Sequence, residues 1–214
     1  MNFFGHKIGS ATTAIVLLTA CGGANSPSFG GYATDAYAAF RSNGINKISD
    51  TDLDTSAMAL PVSGSAELDG YIGMLIVPDG GTPRQLRTPA DVDALGLFSF
   101  TASLTPAGGT YSAVADEFIG RSGEEYAGEL VSTGTLTREP ANASRPDGSI
   151  DISGNLSGTL TGTGLVNGVY SNGDLDGTVF EDGELIIGFG EADFDAAIGG
   201  ATDNAVFAYI LEDD

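Results

Sequence analysis

Residues 149–162 read Ser-Ile-Asp-Ile-Ser-Gly-Asn-Leu-Ser-Gly-Thr-Leu-Thr-Gly, and polar residues alternate strictly with apolar residues or glycine along them. Only a β-strand turns alternate side chains to opposite faces, so the pattern predicts a strand with one buried face. The apolar face carries Ile150, Ile152, Gly154, Leu156, Gly158, Leu160 and Gly162. Because the stretch is long for a strand and has glycine on its inner face, it predicts the tightly curved wall of a barrel.

Shorter stretches with the same alternation lie on both sides of this one. The predicted strands are 62–68, 71–77, 96–104, 110–118, 127–137, 165–170, 175–180, 184–189 and 204–211. Turn sequences separate them, namely Asp69-Gly70, Gly108-Gly109, Pro146-Asp147-Gly148, Asn172-Gly173 and Asp182-Gly183. The short connections favour a meander over a Greek-key sandwich.

The outward positions of these strands are mostly Ser, Thr, Asn, Asp and Glu rather than an apolar band. A barrel that spans a membrane needs such a band on its outer wall. The sequence therefore predicts an all-β domain over residues 61–214. It should be a single, antiparallel, up-and-down β-barrel of about eight strands, soluble in water and filled by its own side chains.

The N-terminus has the parts of a bacterial export signal over residues 1–20. Lys7 precedes an apolar run at 11–18, and small residues follow. The sequence Leu18-Thr19-Ala20-Cys21 then matches the lipobox, in which cleavage leaves a lipid-modified cysteine as the new N-terminus. Cys21 is the only cysteine in the chain. We therefore predict that Cys21 is acylated and that the acyl chains attach the protein to a membrane.

Acylation of this kind gives a stable anchor, because each buried methylene contributes about 0.8 kcal/mol and bacterial lipoproteins carry two or three chains. Gly22 follows the cysteine, where Asp would signal retention at the inner membrane, so we expect the outer membrane, with the barrel on either its periplasmic or its extracellular face. Residues 22–31 are rich in glycine and serine and predict a flexible tether. Residues 35–41, Asp-Ala-Tyr-Ala-Ala-Phe-Arg, predict one short helix within the 21–60 segment.

Charge and composition argue against several classes of function. The formal net charge is −21, with 8 basic against 29 acidic residues, so no basic face is available to bind nucleic acid. The acidity is typical of a solvated surface, and a basic partner protein is the alternative explanation. The only histidine, His6, falls in the leader. The mature chain therefore lacks the imidazole that Ser-His-Asp hydrolases and many zinc sites need.

In two acidic stretches, 49–55 and 172–177, the spacing of the carboxylates suggests a calcium-binding loop. An EF-hand loop needs Gly at its sixth position and Glu at its twelfth, and Thr55 with Pro61 fails both in the first stretch. The second has Gly177 but places Gly183 at the twelfth position. Asp54-Thr55-Ser56 resembles half of an aspartic-protease site, which needs a second copy. We predict no catalytic residue, metal site or cofactor.

Residues 60–73, Leu-Pro-Val-Ser-Gly-Ser-Ala-Glu-Leu-Asp-Gly-Tyr-Ile-Gly, carry a family resemblance, with Gly-Glu-Leu at 128–130, Gly-Thr-Leu at 158–160 and Leu-Asp-Gly-Thr-Val-Phe at 175–180. Together these resemble bacterial envelope lipoproteins related to the β-barrel domain of transferrin-binding protein B. The resemblance covers roughly residues 58–190. It implies an eight-stranded barrel on a lipidated tail at the outer membrane, in a family with members that bind host proteins or small ligands.

These observations favour a lipid-anchored, non-catalytic binding or display module that contacts a protein or small-molecule ligand through loops at the barrel ends. The candidate loops are 78–94, with Arg84 and Arg87, and 138–148, with Arg138 and Arg145. A structural or assembly accessory of the envelope, which would bind partner membrane proteins, is the first alternative. A glycosidase with paired carboxylates is another, since that chemistry needs no histidine.

Overall fold

The computed structural model describes residues 63–78, 86, 91–140, 148–180, 185–197 and 202–212. Eight strands form a closed barrel in which consecutive strands pair antiparallel and the last strand closes onto the first. The strands are β1 (Gly64–Val77), β2 (Ala94–Thr105), β3 (Gly108–Gly120), β4 (Glu125–Glu139), β5 (Ser149–Thr161), β6 (Gly168–Phe180), β7 (Leu185–Ala196) and β8 (Thr202–Glu212). The prediction of an all-β, eight-stranded, up-and-down barrel is confirmed.

The alternation in residues 149–162 corresponds to a strand with one buried face, as the sequence predicted. Strand β5 places Ile150, Ile152, Leu156 and Leu160 inside the barrel, each at most 2% exposed. Ser149 is the exception on the polar face, because it is buried at the start of the strand. Its hydroxyl donates a hydrogen bond to Oδ1 of Asp151 at 3.0 Å, which satisfies the buried group.

Aromatic rings fill much of the barrel interior. Phe100 stacks on Tyr111 with ring centroids 4.8 Å apart, and Tyr170 lies 4.9 Å from Phe194. Phe98 meets the ring of Tyr209 edge-on at 5.1 Å, a favoured geometry for aromatic pairs. Among the described residues, every buried side-chain polar atom has a hydrogen-bond partner. The interior is therefore a packed core rather than a channel.

Glycines on the inward face make room for these rings. Gly177 on β6 and Gly188 on β7 are directly paired, and a Cβ on either would overlap the phenol of Tyr209. The inward faces of β4 and β5 repeat the arrangement, since Gly134 pairs with Gly154. A Cβ on either of those glycines would collide with Tyr111. The glycines thus provide space for tyrosines as well as curvature.

The predicted hairpin turn at Asp69-Gly70 is wrong. Strand β1 runs straight through it, with Asp69 opposite Ser99 and Gly70 opposite Phe98. The hairpin turn that favours this dipeptide requires positive φ at both positions, and neither residue has it. Pairing with β2 on one side and β8 on the other holds the backbone extended and overrides the local turn preference.

The turn predicted at Asn172-Gly173 is also wrong, because the chain forms one strand where the sequence predicted two. Strand β6 continues through a β-bulge, where the register with β7 shifts between Ser171 and Asp174. Asn172 has φ 51°, so the left-handed preference of asparagine is used in the bulge instead of a turn. Residues 165–167 precede β6, and Leu165 is 60% exposed in that connection.

Other boundaries differ by a few residues. Gly108-Gly109 begins β3, and the turn before it is at Pro106-Ala107. The signal, Cys21, the tether, the helix at 35–41 and the turn at Asp182-Gly183 lie outside the described residues. Within the described ranges, no helix has both the length and the hydrophobicity to cross a lipid bilayer.

Candidate functional site

The up-and-down topology gives the barrel two different ends. The proximal end holds the start of β1 and the β2–β3, β4–β5 and β6–β7 connections. The distal end holds the β1–β2, β3–β4, β5–β6 and β7–β8 connections. The two predicted ligand loops therefore lie at opposite ends, with 78–94 distal and 138–148 proximal.

Only one of the four predicted ligand arginines belongs to the described residues. Arg84, Arg87 and Arg145 lie outside them. Arg138 is half-buried within β4 instead of being part of the following loop. Its Nε donates a hydrogen bond to the backbone oxygen of Thr105 at 3.3 Å, at the β2–β3 turn. The placement of Arg138 in a loop is thus wrong, because the ladder with β5 continues through Arg138 to Glu139.

At the distal end, part of the 78–94 loop covers the outer wall instead of facing solvent. Leu86 and Val92 are buried, and they pack against a cluster outside the barrel. Its other buried members are Leu75, Val77, Ile187 and Ala208. This explains why β1 is apolar on both faces from Ile72 to Val77, which one-sided alternation does not predict.

Asp93 and Arg121 hold this loop in place. The Asp93 carboxylate accepts a hydrogen bond from the backbone N–H of Ile76 at 3.0 Å, and it pairs with Arg121 at 3.1 Å. Nε and Nη2 of Arg121 also donate to the backbone oxygen of Val92, at 3.1 and 2.8 Å. We call this pair the distal clasp. These contacts join the β1–β2 connection to the end of β3 and to β1, which assigns the pair a structural role.

Removing the two members of the distal clasp should have unequal effects. We expect Asp93→Ala to lower the free energy of unfolding by about 1–3 kcal/mol, because the Ile76 N–H loses its acceptor. Arg121→Ala should lower it by only about 1 kcal/mol, since the Arg121 side chain is 47% exposed and water screens the ion pair. Urea unfolding followed by circular dichroism measures both values. A larger decrease in the free energy of unfolding for Arg121→Ala than for Asp93→Ala would contradict these roles of the two residues.

At the proximal end, an apolar recess opens between the strand ends, with a volume of about 40 Å³. We call it the proximal recess. Its lining consists of Gly64, Ser65, Ala66, Leu68, Phe100, Ala102, Leu104, Leu136, Ile150, Val179 and Ile186. The space exists because Gly64, Ala66 and Ala102 are small where other inward positions carry Leu, Ile or Phe. Ala66 and Ala102 are direct partners across β1 and β2.

Strand β1 extends past β8 beside this recess. β2 pairs with β1 as far as Gly64, opposite Leu104, whereas β8 reaches only Asp69, opposite Glu212. Within the described part of the chain, residues 64–68 therefore have a neighbouring strand on the β2 side only. We call residues 64–68 the β1 edge. Such an edge presents backbone N–H and C=O groups that can pair with an added strand.

The ionisable groups of the interior are tyrosines. Burial raises the pKa of Tyr111, Tyr126, Tyr170 and Tyr209 above the ordinary value of 10.0. The Tyr170 hydroxyl donates to the Val166 backbone oxygen at 2.7 Å, and the Tyr209 hydroxyl donates to that of Asp176 at 3.1 Å. These phenols stay neutral at physiological pH. They serve as hydrogen-bond donors within the core.

The geometry favours binding of an apolar group over acid–base chemistry at the proximal recess. Among the described side chains, no Asp, Glu, Lys or Arg is buried, and Ser132 and Ser149 are the buried polar residues. No group of three or more His, Cys, Asp or Glu side chains in the described ranges is placed to hold a metal ion. A ligand in this recess would therefore meet methyl groups, aromatic rings and backbone.

Sequence reasoning missed the proximal recess and the β1 edge. The signal was present as small residues on inward positions of two consecutive strands, Ala66 and Ala102. This signal can be recognised only when the register that pairs the two alanines is known. Comparisons with protein-family models, with curated proteins and with solved structures found no match.

Proposed function

We propose that this chain is a lipid-anchored lipoprotein of the outer membrane whose barrel acts as a non-catalytic binding module of the transferrin-binding-protein-like kind. The observation that carries the proposal is the lipobox Leu18-Thr19-Ala20-Cys21, which holds the only cysteine of the chain. The glycine- and serine-rich residues 22–31 would separate the barrel from the lipid surface.

The barrel supports the binding part of this proposal. A small closed barrel with an opening at its mouth is a common place for ligands. The proximal recess supplies an apolar opening, and its walls carry no acid or base to act on what enters. The family resemblance in residues 60–73 points in the same direction.

Replacing the cysteine tests the anchor. In the original bacterial host or another Gram-negative cell, Cys21→Ser should move the protein from the membrane fraction to the soluble fraction. It should also abolish incorporation of labelled fatty acid, because serine lacks the thiol that forms the thioether with the lipid. Ser26→Ala, in the adjacent tether, is the matched control and should remain in the membrane fraction. Membrane association of Cys21→Ser equal to that of the unaltered protein would overturn the proposal.

A further inference from the structure

We propose that the proximal recess binds a small amphipathic carboxylate, with a short branched alkyl group inside the recess and the carboxylate beside the guanidinium of Arg138. This inference rests on the proposed function as a binding module. It names the chemical class of the ligand and the part of the barrel that contacts each end of it.

Arg138 lies at the mouth of the proximal recess. Its partner across the ladder between β4 and β5 is Ile150, and Leu136 precedes it on the same face of β4. Both of these residues are buried and line the recess. Because directly opposite residues of two antiparallel strands share one face of the sheet, the half-buried Arg138 side chain is on the inward face. The register therefore places a cation beside the apolar lining.

A hydrogen bond holds the Arg138 side chain across this end of the barrel. Its Nε donates to the backbone oxygen of Thr105 at 3.3 Å, and Thr105 follows Leu104, which also lines the recess. The side chain thus reaches from β4 past the start of β3 to the end of β2. A guanidinium carries five N–H donors in a planar fork that matches a carboxylate, more than the bond to Thr105 requires.

The proximal recess fits the alkyl part of such a ligand. Its volume of about 40 Å³ holds roughly three water-sized groups, which matches the carbons of an isopropyl group. Ala66 and Ala102 line it and remain partly exposed, so the recess is accessible from outside the barrel. Its lining contains no charged side chain. Hydrocarbon is therefore favoured there, whereas an ionised group would lose its hydration without a partner.

The distribution of charge favours an anionic head group at this mouth, although the whole chain is acidic. Among the described residues, the basic side chains are Arg121 and Arg138, and Arg121 belongs to the distal clasp at the other end. The neighbouring acids Glu139 and Asp151 occupy outward positions of β4 and β5. A carboxylate at Arg138 gains charge-assisted hydrogen bonds, while the acids of the outer wall act on it through water and salt.

The experiment uses the full-length chain carrying Cys21→Ser, purified without detergent because detergent tails would compete for the recess. The probe is 3-methylbutanoate, and NMR follows the methyl groups of Leu136, Ile150 and Val179 during the titration. We expect saturable shifts of these methyl groups. Acetate, which lacks the isopropyl group, and 3-methylbutan-1-ol, which lacks the charge, should each bind at least about tenfold more weakly. Equal affinity for the three compounds, or the absence of saturable shifts in the lining, would overturn the proposal.

Arg138→Gln tests the cation at the mouth. It should weaken binding of 3-methylbutanoate about tenfold or more and leave the affinity for 3-methylbutan-1-ol almost unchanged, because only the carboxylate contacts the guanidinium. Arg121→Gln, which removes the same charge at the distal end, should leave both affinities unchanged. Equal weakening of the acid and the alcohol by Arg138→Gln would mean that Arg138 only maintains the shape of the recess, and this result would overturn the proposal.

Ala102→Leu tests the recess itself. The larger side chain occupies the space that the alkyl group needs, so binding of both the acid and the alcohol should weaken about tenfold or more. Thr101→Leu, on the exposed face of the same strand, should change neither affinity. Unchanged binding by Ala102→Leu would contradict the proposed location of the alkyl group. If Ala102→Leu misfolds, the comparison of Arg138→Gln with Arg121→Gln remains decisive.

Failure of this inference can be distinguished from failure of the proposed anchor. Absence of 3-methylbutanoate binding, with fatty-acid labelling of the unaltered protein at Cys21 intact, would overturn this inference alone. Continued membrane association of Cys21→Ser would instead overturn the anchor. Saturable binding of the probe by the purified chain would still support the recess as a ligand site in that case.

Discussion

Gly177→Ala should destabilise the barrel by about 2–3 kcal/mol, because the added methyl group has no space on the inward face of β6. Its Cβ would overlap Oη of Tyr209 and would lie 3.0 Å from the backbone oxygen of Ile187. Tyr209 is fully buried and meets Phe98 edge-on, so its ring has little room to move. Thermal unfolding followed by circular dichroism should show a decrease in Tm of roughly 5–10 °C.

Gly73→Ala is the matched control. Gly73 is a strand glycine too and is buried, but the atoms nearest to an added Cβ lie 3.8 Å away, which is ordinary contact. We expect its free energy of unfolding to change by less than about 0.5 kcal/mol. Similar decreases in the free energy of unfolding for Gly73→Ala and Gly177→Ala would show that the space needed by Tyr209 is not the reason for glycine at position 177.

A double variant tests the cause directly. Tyr209→Phe removes the hydroxyl that the new methyl group would overlap, at the expense of its hydrogen bond to the Asp176 backbone oxygen. Combined with Gly177→Ala, it should be less destabilising than the sum of the single changes, by about 1 kcal/mol or more. Strict additivity would mean that the collision with the backbone of Ile187 dominates.

The second large effect that we expect is a loss of stability at alkaline pH. Burial raises the pKa of Tyr170 and Tyr209 well above the ordinary value of 10.0, so in the folded barrel they remain protonated when the unfolded chain has lost those protons. Below about pH 10 both states hold the protons and the two groups add no pH dependence. Above it, each should lower the free energy of unfolding by up to about 1.4 kcal/mol per pH unit.

Urea unfolding at a series of pH values from neutral to about 11, followed by circular dichroism, measures this slope. Phenolate absorbance should rise for these tyrosines only as the barrel unfolds. Tyr209→Phe removes one of the two groups, so its slope above about pH 10 should be shallower by up to about 1.4 kcal/mol per pH unit. A stability that stays constant to pH 11 would contradict the burial of these phenols.

Much of the fold could be predicted because strand alternation is a local property. Inside the barrel lie Ile150, Ile152, Leu156 and Leu160, because a strand with one polar face directs its apolar face toward the core. The turns were harder to predict, since Asp69-Gly70 and Asn172-Gly173 carry turn chemistry and yet lie within strands. In both cases pairing with strands on both sides outweighed the local preference.

The candidate site was less predictable than the fold. Arg138 was assigned to a loop from its position after a strand pattern, but the ladder with β5 extends through it. The proximal recess depends on Ala66 meeting Ala102, which are 36 positions apart in the chain. The apolar patch around Leu75 likewise depends on Leu86 returning to cover the outer wall. No local pattern encodes these contacts.

By itself, the sequence determined that this chain forms an antiparallel barrel with a polar exterior, since period-two alternation and short polar connections act over a few neighbouring residues. It also carries the proposal of a lipid anchor at Cys21, because a lipobox is a contiguous signal. Only the tertiary structure decided where small inward residues of neighbouring strands meet to leave the proximal recess, and where, among the described residues, β1 has no partner on its β8 side. Both depend on register and on the stagger of β1 past β8, and these are set when distant strands meet.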